Sequence, residues 1–161
     1  MTVAVTSILT EIETRLNNIT TTNGYNYTVN KVELSRLEAF KGYDLPAIRF
    51  FPTAVTNERA AYDNDKRTLS ISIYFYELTR DEAFTDVADK LAWDVVNALH
   101  RKDTHPKISD DPDYCLTGTV SDIVFQGYDY MIGEGQKPFC GTIVNFDIIF
   151  FTDVNDMSSY S

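Results

Sequence analysis

Few residues in this 161-residue chain have the types that chemistry needs, and each group of them lacks a part. Asp122 and Asp147 fall in two strand-like runs; if the runs pair, the carboxylates meet and share a proton, as general acid–base work requires. No pocket is evident around them, so exposed acids are the better reading. His100 and His105 are the only histidines, close to the end of a predicted helix, and the His-Glu-x-x-His spacing of a helical zinc site is missing. They read as solvated helix-end side chains. Asp110, Asp111 and Asp113 crowd one loop, as hard cations prefer, but the central Gly and terminal Glu of an EF-hand are absent, which favours a solvated turn. Gly133-Glu134-Gly135 has the glycines of a phosphate loop without its Gly-Lys-Ser/Thr ending, and it follows a strand without opening a predicted helix. Nucleophilic catalysis needs a Ser or Cys beside a base, and neither histidine sits in a recognised elbow. The expectation is a protein that is not an enzyme, with no catalytic residue, metal or cofactor. Tyr74, Tyr76, Tyr128 and Tyr130 could stack on a ligand or on bases, yet they have no basic neighbours in the sequence. Core packing or a subunit interface suits them better.

Periodicity supplies the elements that must position these groups. Across residues 3–19 the apolar Val5, Ile8, Leu9, Ile12, Leu16 and Ile19 recur at helical spacing opposite Glu11, Glu13 and Arg15. Thr20-Thr21-Thr22-Asn23-Gly24 marks the end of that helix. Residues 25–37 alternate like a strand that changes face through a bulge between Val29 and Val32. Pro46 and Pro52 bracket a short strand, since proline removes a ladder donor. Residues 53–65 have no period and are expected to be a flexible loop. Residues 66–78 alternate most clearly, with Leu69, Ile71, Ile73 and Phe75 on one side. Thr79-Arg80-Asp81-Glu82 fits a capping box opening a second helix that runs to about Arg101, with Phe84, Val87, Ala88, Leu91, Val95 and Leu99 on its stripe. Asp86, Asp89, Lys90 and Asp94 lie off that stripe, and His100, Arg101 and Lys102 suit its C-terminal end.

Residues 116–132 and 139–152 form the expected C-terminal hairpin, closed by the turn at 133–138. Strands of ~14 residues span about 46 Å against roughly 40 Å for a compact domain of this length. The hairpin must therefore bend, at Gly118, Gly127 or Gly141, or protrude. Val144, Phe146, Ile148 and Phe150 make one of its faces continuously apolar, suited to the helices. The fold class expected is α+β, a mainly antiparallel sheet with a long C-terminal β-hairpin and two helices packed on one face. It is read as a single domain over residues 1–161, with a tail from 153 that stays mobile unless a partner orders it.

Composition narrows the function classes. With 43% hydrophobic and 13% aromatic residues, the chain can bury roughly 70% of its unfolded surface and is not of disordered type. No apolar run reaches the roughly 18 residues of a membrane span, and no basic segment precedes the first apolar residues, so neither export nor a membrane partner is expected. Cys115 and Cys140 make no disulfide framework and read as two reduced thiols, although hairpin pairing could bring them close. The net charge of −10 argues against affinity for a phosphate backbone. Of that charge, −8 lies in residues 108–161, where nine acids face the single base Lys137.

The order of these elements, with the runs at residues 9–16, 68–75, 83–99 and 141–152, resembles the tail terminator (tail completion) proteins of tailed bacteriophages over nearly the whole chain. The resemblance is one of pattern, because that family carries no catalytic signature. It implies an α+β subunit of a homo-oligomeric ring, a hexamer, located in the virion at the neck and in the host cytoplasm during assembly. The ring caps the tail tube protein, ends tube polymerisation and docks to the head–tail connector protein. DNA would pass through the lumen without specific binding, for which an acid-rich segment is suited, and Asp122, Glu134 and Asp147 are the candidates to face it. Tyr74 and Tyr76 are the candidates for a subunit contact. Another neck or baseplate adaptor, or a cytosolic small-ligand-binding α+β domain, are the alternative readings.

Overall fold

The computed structural model describes residues 4–79, 82–100, 116, 120–132 and 139–153. The acidic loop at 110–113, His105, Cys115, Gly118, the turn at 133–138 with Glu134, and the tail from 154 lie outside them.

The first helix, α1 (Ala4–Asn17), buries Ala4, Ile8, Leu9, Ile12 and Leu16, the three-and-four spacing that makes one apolar stripe. Beside that stripe Glu11 and Arg15, both part-buried, come within 3.5 Å, one turn apart. The helix tightens as the N–H groups of Asn18 and Ile19 donate to the carbonyls of Arg15 and Leu16. A short 3-10 turn, Thr21–Asn23, then closes on Gly24 at φ 86, left-handed backbone that glycine adopts without a Cβ penalty.

Residues 25–30 are not a strand. Tyr25, Tyr27 and Val29 do pack against the core, as their alternation requires. Their segment has no neighbouring strand, however, and the backbone N–H groups of Asn26 and Tyr27 donate to the Asp94 carboxylate at 2.9 Å each. Only Lys31–Leu34 forms β1, parallel to the start of β2 (Ala47–Ala61). The second strand does not stop at Pro52, and residues 53–61 are not a loop: β2 runs on, with a register shift at Pro52/Ala54, to a turn at Tyr62-Asp63. Beyond Phe50 it has no β1 partner, so proline is tolerated there as in any edge strand. Residues 53–61 lie exposed on both faces, which is why no period announces them. The tip is held by Arg59, whose Nε donates to Asp65 at 2.8 Å.

β3 (Asn64–Leu78) pairs antiparallel with β2 and, along its full length, with β5 (Phe139–Asp153), from Asn64–Asp153 to Leu78–Phe139. β4 (Asp122–Ile132) completes a five-stranded sheet in the order β1-β2-β3-β5-β4. The C-terminal hairpin thus exists but does not protrude. Its length is matched by β3, and β5 is an interior strand. Bending falls at Gly127, where β4 shifts register at φ 115. Gly141 serves a different need: a Cβ there would meet the Phe75 carbonyl oxygen at 2.6 Å, so only glycine lets β3 and β5 approach.

α2 (Phe84–Leu99) starts four residues later than a Thr79 cap would place it. Its N-cap is Ala83 with no side-chain bond, and Glu82 reaches Lys90 at 3.4 Å instead of a backbone donor. Arg80 and Asp81 lie outside the described residues. Val87, Leu91, Ala92, Val95 and Leu99 join the α1 stripe and one face of the sheet (Ile48, Phe50, Leu69, Ile71, Ile73, Phe75, Val144, Phe146, Ile148, Phe150) in one core, both helices on that face. Phe84, expected on the stripe, is exposed, and Asp94, expected off it, is buried. No helix among the described residues is long and apolar enough to cross a membrane.

Candidate interaction surface

β4 is the last strand of the sheet and bonds to β5 alone, so among the described residues its outer row of backbone donors and acceptors faces no strand. Before the Gly127 bulge, Ile123 and Phe125 stand opposite Ile148 and Phe146 on the helix-bearing face. After it, Tyr128, Tyr130 and Ile132 stand opposite Val144, Thr142 and Cys140 on that same face. The extra residue moves the large side chains from odd to even positions and keeps them all on one side.

The helix supplies the rest. Asp89 of α2 accepts the hydroxyls of Tyr128 at 2.6 Å and Tyr130 at 2.8 Å. Those two hydrogen bonds, Tyr128's first, hold the Asp89 carboxyl below its usual range, and the same carboxylate pushes both phenols up. The tyrosine rings meet edge to face at 5.7 Å, Phe84 stands edge-on to Tyr130 at 6.5 Å, and Phe125 connects them to the core through Phe146 at 5.6 Å. One helical turn beyond Asp89, on the same side of α2, is the only tryptophan, Trp93, 62% exposed. Ile132, 63% exposed, ends the row on β4. Apolar rings fixed before a partner arrives, beside an open strand edge, make a surface suited to protein contact. With its charge spent on two hydroxyls, Asp89 is a brace for those rings.

Tyr74 and Tyr76 lie on the opposite, helix-free face, so the structure does not bring them to Tyr128 and Tyr130. They stack side by side at 6.3 Å, with Tyr74 also over Phe51 at 5.3 Å. They do have a basic neighbour, from the adjacent strand: the Arg49 guanidinium lies 4.9 Å from the Tyr74 ring centre and donates from Nε to the Tyr76 hydroxyl at 3.1 Å. Asp147 is on this face too, accepting from Ser70 at 2.7 Å and Gln126 at 3.0 Å, above a second rung between Ser72 and Asn145. Asp122 and Asp147 are diagonal in register but form no dyad. The Asp122 carboxylate takes the Ile123 N–H and lies close enough to His100 to act on its charge. Glu134, the third acidic candidate, lies outside the described residues.

His100 is not the solvated side chain that its place at a helix end suggested. Its ring meets Phe146 at 5.9 Å, and burial lowers its pKa, with Asp122 opposing in part. Cys140 is a buried free thiol whose pKa burial and the nearby Glu77 push up to about 11, which keeps it protonated and inert. Among the described residues no group of three or more His, Cys, Asp or Glu side chains could hold a metal ion.

Asp89, Trp93 and Arg49 were not singled out by the sequence. Trp93 left a signal, as a lone tryptophan off the apolar stripe of a helix. Arg49 and Asp89 left none, because their partners are fixed by register and packing. No family pattern matches the chain, and no curated protein does.

Proposed function

We propose that this chain is a structural subunit of a tailed-phage particle, a tail terminator whose copies associate head to tail into a ring, six in the family it resembles. The ring would cap the tail tube, stop its growth and present a docking surface to the head connector, with DNA passing through the lumen.

The observation that carries this reading is the pair of unlike edges, open among the described residues, at the two ends of the sheet. β4 offers an edge flanked by Trp93, Phe125, Tyr128, Tyr130 and Ile132; β2 offers, beyond Phe50, an edge running to the exposed tip at Tyr62. A head-to-tail contact needs two different patches on each copy, and when its rotation closes it makes a ring. An open edge in an isolated monomer is a hazard that evolution usually blunts, so long ones favour a partner. The net charge of −10 suits a conduit that must not hold DNA.

The test adds purified protein to the cognate tube protein while it polymerises, with electron microscopy of the products. The expected result is tubes bearing an extra disc at one end and ceasing to lengthen. Unaltered tube growth and bare ends at saturating protein would contradict the reading.

A further inference from the structure

On the helix-free face, where the segment before β2 folds over the end of the sheet, there is a cavity of about 270 Å³. Its walls are the side chains of Phe40, Leu45, Leu78 and Phe139, with Arg49 and Tyr76 as its polar corner. The aromatic walls are mutually braced: Phe40 and Phe139 each stand edge-on to Tyr76, at 6.2 and 6.0 Å. By the share of volume a water takes in the liquid, the space suits a ligand of roughly ten non-hydrogen atoms.

The polar corner has specific unmet capacity. Arg49 has five N–H donors; its face is covered by the Tyr74 and Tyr76 rings and Nε is used on the Tyr76 oxygen. Its terminal nitrogens have neither a hydrogen bond nor a carboxylate partner among the described residues, unusual in a chain with 24 acids and 14 bases. The Tyr76 oxygen accepts from Arg49, which leaves its O–H proton free to donate. Burial raises the Tyr76 pKa, so that proton stays in place at neutral pH.

We infer that this cavity is a binding site for a small carboxylate with an apolar body: the carboxylate takes the Arg49 terminal nitrogens and the Tyr76 hydroxyl, and the body fills the space between Phe40, Leu45, Leu78 and Phe139. The planar guanidinium edge matches a carboxylate with two parallel hydrogen bonds. A phosphate dianion fits less well, since the corner has one cation and no helix N-terminus or run of backbone donors. An apolar enclosure with a few convergent polar groups is the usual form of a small-molecule site. The site is separate from the β4 edge, so it stands or falls independently of the ring.

The test uses the full chain and two isosteric probes, 3-phenylpropionate and 3-phenylpropionamide, titrated by NMR with the aromatic signals of Phe40 and Phe139 observed. The carboxylate should bind about tenfold or more tightly than the amide, as expected of a charge-assisted pair, and should shift those ring signals. Arg49→Gln should bring the two probes to equal affinity, and Tyr76→Phe should weaken the carboxylate more than the amide, since the lost bond is charge-assisted only for the former. Equal affinity of the wild-type protein for both probes, or no saturable binding of either, would overturn the assignment. That comparison needs no variant, so it decides the matter even if Arg49→Gln folds poorly.

Discussion

Asp94 lies on the buried side of α2, where a carboxylate is tolerated only if its lone pairs are used. Its Oδ1 takes the backbone N–H and side-chain amide of Asn26, and its Oδ2 takes the Tyr27 N–H, each at 2.9 Å. That one side chain satisfies the backbone of Asn26 and Tyr27, while the N–H groups of Tyr25, Val29 and Asn30 donate to the carbonyls of Thr20, Ile19 and Pro46. Asp94→Ala would strand the Asn26 and Tyr27 donors and should lower stability by about 2–4 kcal/mol in urea unfolding. Asp94→Asn, which retains one acceptor oxygen, should lose less. His100 sets a pH dependence. Burial lowers its folded-state pKa, so the unfolded chain takes up a proton near pH 6.5 while the folded one resists until lower pH. The stability it contributes is therefore complete above pH 6.5 and is lost as pH falls through the folded value. Comparing unfolding midpoints at pH 7.5 and 5.5 should show a smaller drop for His100→Gln than for the wild type.

At the scale of the elements, the two strand glycines make separable predictions. Gly141→Ala puts a methyl 2.6 Å from the Phe75 carbonyl oxygen, between two interior strands, where backbone must move. Gly127→Ala meets no atom within 4 Å but must adopt φ 115. Each should cost about 1–3 kcal/mol in thermal unfolding, the first from crowding and the second from backbone strain. Elements with a period were legible in the sequence. The three-and-four spacing of Ile8, Ile12 and Leu16 and the alternation of Leu69, Ile71, Ile73 and Phe75 reflect burial directly, and the hairpin of β4 and β5 followed from the same rule. What could not be read lacked that imprint. Residues 53–61 touch solvent on both faces and so alternate in nothing, although they form a strand. Residues 25–30 alternate truly, with Tyr25, Tyr27 and Val29 inward, but their backbone bonds go to the Asp94 side chain and to scattered carbonyls of Thr20, Ile19 and Pro46 instead of a strand. Tyr74 and Tyr76 could be named, whereas Arg49 beside them depends on strand register. The great length of β5 was visible too, but its cause was β3 alongside it.

At the scale of the whole molecule, the account rests on the aromatic edge of β4 and α2 being a contact between copies. Trp93 and Tyr130 are the residues to change, because both are exposed and neither carries the core, so charged replacements should leave the monomer folded. Light scattering on the eluting protein measures molar mass directly. Wild-type protein should elute as a closed oligomer, about 110 kDa for six copies of the 18.3 kDa chain, and Trp93→Arg/Tyr130→Lys as a folded monomer with unchanged circular dichroism. A wild-type protein that stays at 18.3 kDa at every concentration, alone and with tail tubes, or an oligomer that the double substitution leaves intact, would contradict it.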